Sequence, residues 1–261
     1  MAKRIDWRVL AVCAWLLALP ARASEQLTAW SYYNSPPYAV RDARDGLVPA
    51  VIAYLNTALA GRYAFTLKLL PRARLNLALA ERRRGVVLFA PSAVFTGPAY
   101  SDYSWSVPLL HDRQELVSPA WNPVDFKSAD ALAGLRIGGM LGHNYPLLQK
   151  SIDAGALSVH RLNSETQPLD MLMVGRLDAA TLATTSIDYW LHLHPAHAAH
   201  IHRSSDGLGE FTRHLLFTPG QQGARDACDQ VLRHAVHDPA WKAIFARFGL
   251  TPAQPLSPGK G

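Results

Sequence analysis

Two arginines in the stretch Pro71-Arg72-Ala73-Arg74-Leu75 carry planar guanidinium forks, which grip a carboxylate or a phosphate through paired N–H donors. Arg72 and Arg74 fall between an extended run and a helical one, and strand ends of this kind line clefts in α/β sheets. A solvated basic corner is the competing reading. Tyr33, Tyr38, Phe95 and Trp105 stand at predicted strand ends or turns, where flat rings cover the apolar part of a solute and phenol hydroxyls add hydrogen bonds. Core packing competes at each, and for Trp105 on equal terms. Gly142-His143-Asn144-Tyr145 reads as a strand-to-helix turn whose backbone N–H groups suit an anion, although Asn144 is equally a helix cap. Ser92, Thr184 and Thr185 add hydroxyls at further strand ends, while Asp178 reads as a structural hydrogen-bonder.

Five histidines crowd into residues 192–202, as His192, His194, His197, His200 and His202, enough imidazole for zinc, nickel or copper. No cysteine or carboxylate lies inside that segment to complete a familiar ligand set, and an ordinary exposed helix also carries histidines. Metal binding is therefore the rival reading, and the expected metal and cofactor content is none. Enzymatic chemistry is a second rival, a periplasmic lyase or dehydratase with His143 as acid–base group. Against it stand the missing G-x-S-x-G elbow, the missing HExxH helix, the missing phosphate loop and the lack of a paired-carboxylate motif. The expectation is a protein without catalytic residues.

The elements that must position these groups follow from periodicity and punctuation. Leu27 to Tyr33 is rich in Thr, Trp and Tyr, reads as a strand, and stops at Asn34-Ser35-Pro36-Pro37. Leu47, Val51, Ile52, Leu55 and Leu59 recur at helical spacing before Gly61. Phe65 to Leu70 alternates as a strand does, Leu75 to Arg84 reads as a helix, and Val86 to Ala90 as a buried strand. A short strand-like connection at Glu115 to Ser118 leads into a second set of the same elements. These are strands at 136–140, 157–162 and 177–184, with helical pieces at 130–135, 145–149 and 168–174. Phe211 to Phe217 reads as a return strand, followed by helices at 224–236 and 239–248 and a Pro/Gly-rich tail. Alternating strands and helices predict an α/β fold with largely parallel sheets.

Lys3, Arg4 and Arg8 precede an apolar run from Val9 to Leu19, then Pro20 and Ala21-Arg22-Ala23, the pattern of a secretory signal peptide cut near Ala23. The run is about half the ~20 residues of a membrane span. The formal charge of the whole chain is +6; residues 1–23 carry four cations and one anion, leaving +3. Neither that balance nor the longest basic run, Arg82-Arg83-Arg84, argues for nucleic acid. With the leader gone one thiol remains, Cys228, so the chain is expected to rest on an apolar core rather than on an intrachain disulfide.

Five pieces in order carry a resemblance: Pro36-Pro37-Tyr38, Trp105-Ser106-Val107-Pro108, Leu132-Ala133-Gly134-Leu135-Arg136-Ile137-Gly138, Gly175-Arg176-Leu177-Asp178-Ala179, and Ile244-Phe245-Ala246-Arg247-Phe248-Gly249. Together they make the chain similar to the family 3 extracellular solute-binding proteins. That resemblance implies two α/β lobes of type II-like periplasmic architecture joined by two hinge strands. Lobe 1 is expected from 24–114 and 206–261, lobe 2 from 115–205, with a solute held in the cleft between them. It also implies a periplasmic protein that hands a small solute to an ABC permease or a sensor; the forks of Arg72 and Arg74 and the helix-start amides make the expected solute anionic or zwitterionic, and the expected state is a monomer. Two family features are missing. The Arg that grips an α-carboxylate has no counterpart in Thr96-Gly97-Pro98-Ala99-Tyr100, and the Asp that holds the ammonium is replaced by Ala183. Arg72 and Arg74 are the expected substitutes for the first.

Overall fold

The computed structural model describes residues 24–40, 44–143 and 145–254. The signal-peptide reading and Asn144 lie outside the described residues. The strands are β1 (Glu25–Ser31), β2 (Tyr63–Leu69), β3 (Gly85–Pro91), β4 (Ser104–Trp105), β5 (Leu110–Pro119), β6 (Ile137–Met140), β7 (Val159–Leu162), β8 (Ala179–Ala183), β9 (Ile201–Arg203) and β10 (Gly209–Phe217). The α-helices are α1 (Leu47–Ala58), α2 (Arg72–Ala80), α3 (Pro146–Asp153), α4 (Gln167–Met173), α5 (Thr184–Leu193), α6 (Gln222–Ala235) and α7 (Pro239–Ala246). None of the described helices is long and apolar enough to cross a membrane.

The strands run in the order β2-β1-β3-β10-β5-β8-β6-β7, with β4 on β10 and β9 on β5. The β1, β2 and β3 pairings at one end are parallel, as are the β6, β7 and β8 pairings at the other. Helices follow these strands, as parallel crossovers require. Between the two parallel sets lie β10 and β5, antiparallel to each other and to both neighbours. The short connection read at Glu115 to Ser118 is in fact the middle of a ten-residue strand. Its polar residues His111, Asp112, Arg113, Gln114 and Glu115 hide the alternation that marks a strand, because both of its faces carry charge at the crossing.

Apolar residues gather separately at the two ends. The buried members of two clusters, around Val51, Phe89 and Trp241 and around Trp30, Leu75 and Phe95, come only from residues 27–110 and 215–250. Those of two others, around Leu132 and Tyr145 and around Leu172 and Trp190, come only from residues 116–208. The result is two lobes with their own cores, linked through β5 and β10. Cys228 is fully buried in the first, and burial pushes its thiol up to about 12, which makes it inert packing.

Local chemistry explains several details. In β6, a side chain at Gly139 would strike the Tyr145 hydroxyl at 2.7 Å, and that oxygen accepts a hydrogen bond from the Met140 N–H at 2.7 Å. Glycine at 139 is what lets the ring close the strand. The segment 195–200 is a 3-10 turn, not the regular exposed helix that tolerates histidines, because Pro195 ends the α-helical hydrogen bonding of α5.

Candidate functional site

The chain crosses between lobes over a buried ion pair. Arg213 of β10 donates from Nε to Asp112 Oδ2 of β5 at 2.6 Å, and the two side chains are 6% and 0% exposed. Asp112 also accepts from Thr185 Oγ1 at 2.6 Å and from the Thr185 N–H at 3.2 Å, so it satisfies an open donor at the start of α5. Arg213 Nη1 donates to Tyr33 Oη at 2.5 Å; the Tyr33 hydroxyl donates to the Phe89 carbonyl at 3.1 Å and lies 3.1 Å from the Tyr32 hydroxyl. Phe89 takes a left-handed backbone, φ 54°, uncommon for an aromatic residue and worth about 1–3 kcal/mol of strain. Tyr33 stacks on Tyr38 with ring centroids 4.1 Å apart, and the Arg213 guanidinium lies 5.0 Å from the Tyr38 ring. The Tyr38 hydroxyl is buried without a hydrogen-bond partner among the described residues, and burial holds its pKa well above the usual phenol value.

Beside this pair are groups whose charge is not spent. Arg72, at the start of α2, stacks between two rings, 4.8 Å from Tyr32 and 4.6 Å from Phe95, and donates from Nε to Asn76 at 2.9 Å. Its Nη groups make no hydrogen bond among the described residues. Glu165, just after β7 in lobe 2, is 5% exposed and has no ion-pair partner among the described residues; Ser186 Oγ donates to one of its oxygens at 2.9 Å. Its charge reaches Tyr32 and Tyr38 of lobe 1 and His143 and Tyr145 of lobe 2. Burial depresses the His143 pKa below the usual imidazole value; Glu165 opposes that shift, and Arg213, Arg72 and Arg161 reinforce it. Arg72 of lobe 1 and Glu165 of lobe 2 thus both act on His143, and with Tyr32 and Phe95 they are the candidate cleft group.

The residues expected from sequence separate accordingly. Arg72, Phe95 and His143 are in the cleft group. Tyr38 and Thr185 belong to the ion-pair cluster beneath it. Arg74 is exposed, and no charged or aromatic contact is recorded for it among the described residues. Trp105 packs edge-on against His214 at 5.3 Å. Tyr145 is 4% exposed and closes β6; burial pushes its hydroxyl up to about 12. Ser92 Oγ accepts from the Thr212 N–H at 3.0 Å, tying β3 to β10, and Thr184 Oγ1 donates to Glu115 Oε1 at 2.5 Å. Gly142 is exposed at φ 78°, a turn conformation open to glycine. Asp178 accepts from the backbone N–H and guanidinium of Arg136, which lowers its pKa.

Sequence reasoning missed Tyr32, Asp112, Glu165, Ser186 and Arg213. A signal existed for one half of the ion pair: Arg213 precedes the apolar run Leu215-Leu216-Phe217 of a predicted return strand, where a charge needs a partner, whereas Asp112 is hidden in the polar run His111 to Glu115. Glu165 gave no such signal in Asn163-Ser164-Glu165-Thr166.

The histidines of residues 192–202 do not converge. His194 lies against Trp190 at 4.5 Å, the His194–His197 and His197–His200 centroids are 6.0 and 5.9 Å apart, and His202 bonds to Asp125 at 2.9 Å. No group of three or more His, Cys, Asp or Glu residues among those described is arranged to hold a metal.

No protein-family model matches the sequence, and no curated protein does. Solved structures do. The ligand-binding core of GluR0 from Nostoc punctiforme, in complex with L-glutamate, is 12% identical with a TM-score of 0.63 over 85% of this chain and 98% of that one. The arginine-, lysine-, histidine-binding protein ArtJ from Geobacillus stearothermophilus is 14% identical, TM-score 0.63, over 87% and 97%. The substrate binding protein of an amino acid ABC transporter is 15% identical, TM-score 0.61, over 85% and 98%. This chain thus has the two-lobed α/β fold shared by those amino-acid-binding proteins, and the resemblance read from its five sequence pieces holds at the level of the fold.

Proposed function

We propose that the cleft captures a small amino-acid-like zwitterion, its carboxylate on Arg72 and its ammonium on Glu165, and that the protein binds this solute without transforming it. The observation that carries the reading is Glu165, a buried carboxylate whose one hydrogen bond among the described residues comes from the Ser186 hydroxyl. Burying a carboxylate without a cation is costly, and a ligand ammonium is the group that relieves it. Glu165 and Arg72 would together replace the clamp missing at Ala183 and at 96–100. Tyr32 and Phe95 flank the apolar part of the solute, with His143 at its edge. The amino-acid-binding proteins of the same fold support a binding role over an enzymatic one.

Lobe 1 in this reading comprises 24–114 and 206–261, lobe 2 comprises 115–205, and the solute favours the closed arrangement because it contacts both. Residues 1–23 act as the export leader, and the protein works in the periplasm as a monomer that delivers to an ABC permease or a sensor. Isothermal titration of the purified protein with a panel of neutral, acidic and basic amino acids tests the reading. Saturable binding of at least one zwitterion, lost in Glu165→Gln, is the expected result; binding of simple carboxylates as tight as the matching amino acids would overturn it.

A further inference from the structure

A cavity of about 580 Å³ lies against β5 and β10, and neither Tyr32, Arg72, Phe95, His143 nor Glu165 lines it. Its walls use the odd-numbered residues Arg113 and Glu115 of β5 and the even-numbered Glu210 and Thr212 of β10. Side chains alternate across a strand, so these point to the opposite face from Asp112 and Arg213. Asp112 and Phe211 are the members it shares with the ion-pair cluster. Ser92, His111, Thr184 and Arg203 complete the wall, so β5, β10, α5, β9 and the residue after β3 all contribute.

The charges here are spent unevenly. Glu115 is 1% exposed; its Oε1 accepts from Thr184 and faces Arg113 at 3.2 Å and Arg203 at 3.4 Å, while its Oε2 is buried with no hydrogen-bond partner among the described residues. Arg203 is also paired with Asp188. Glu210 has no ion pair among the described residues. Both guanidinium groups of the wall already face carboxylates, whereas the buried Oε2 of Glu115 has no donor among the described residues and the exposed carboxylate of Glu210 has no cation among them. A buried acceptor left without a donor calls for one.

We infer that this hinge cavity is a second ligand site, for a small organic cation that carries N–H donors, a primary ammonium above all. The ammonium donates to Glu115 Oε2, and Glu210 supplies the outer contact. The inference is independent of the cleft reading, since the two sites share no charged residue that either ligand would touch. The test is titration of the full chain with 1,4-diaminobutane, with tetramethylammonium as a cation that has no N–H. Saturable binding of the diamine at millimolar or lower concentration is expected, retained in Glu165→Gln, weakened at least tenfold in Glu115→Gln, and absent for tetramethylammonium. The exposed Glu210→Gln, which leaves the buried network intact, should weaken binding by several fold and guards against a folding defect in the first variant. No saturable diamine binding, equal binding of tetramethylammonium, binding unchanged by both variants, or binding lost in Glu165→Gln would each overturn the site.

Discussion

Two pairs of opposite charges meet where the lobes join, and they are built in opposite ways. Arg213 and Asp112 face each other at 2.6 Å, nearly without water, and each is held by a further bond: Thr185 to the acid, Tyr33 to the base. Arg72 and Glu165 lie in the same region and do not pair; one is held by stacked rings and Asn76, the other by Ser186. The first arrangement is closed and holds the crossing strands in register. The second keeps a cation and an anion apart, each fixed in place by neutral groups, which is the preorganisation that a zwitterionic ligand needs.

The comparison breaks most visibly at Asp112. Asp112→Ala leaves Arg213 buried without its carboxylate, and removing one partner of a buried pair typically costs about 3–5 kcal/mol. Thermal unfolding should move down by roughly 10 °C at the scale expected for a chain of this size, while Asp112→Leu combined with Arg213→Met should recover much of that loss. Glu165→Gln should do the reverse: little loss of stability, and a loss of zwitterion affinity of about 10- to 150-fold, corresponding to a charged hydrogen bond of about 1.5–3 kcal/mol. Calorimetry beside a melting curve separates these two outcomes, and equal behaviour of the two variants would remove the distinction between the pairs.

A pH series sharpens it further. His143 has its pKa depressed by burial, so the folded protein binds that proton less readily than the unfolded chain does. Its contribution to stability is fully present above the usual imidazole value of about 6.5 and is lost as pH falls through the depressed folded value. Protonation there also places a cation beside Glu165, so solute affinity should fall over the same window, and His143→Gln should flatten that fall. Arg74→Ala is the smallest effect expected, within about 0.5 kcal/mol in stability and without change in affinity, since Arg74 is exposed on the far side of the turn from its neighbour's stacked rings.

The parallel units at both ends were readable because their strands are short apolar runs: the strands read at 86–90, 136–140 and 177–184 all pair near the positions their patterns predict. The crossing was legible only in part: Glu115 to Ser118 reads as strand-like and Phe211 to Phe217 as a return strand, but His111 to Gln114 of β5 carry polar groups on both faces and show no alternation. The same physical fact explains the site. Arg72 stood out as a guanidinium at a strand end, but its value depends on Tyr32 and Phe95, which are 40 and 23 residues away in sequence. Glu165 is an ordinary acidic residue in a polar turn until folding buries it without an ion pair among the described residues. Burial and pairing decide which charges matter, and neither is local.

One property of the topology reaches beyond binding. The core around Val51 and Phe89 is completed by Leu215, Leu232, Trp241 and Phe245, so the strands made first must wait for helices made last. The cores around Leu132 and Trp190 need nothing beyond residue 208. As the chain emerges from N- to C-terminus, the inserted lobe can consolidate while its host stays incomplete, with Leu27 and Phe65 exposed to solvent or to a chaperone. A truncation before α7 should therefore leave one lobe folded and the other adhesive.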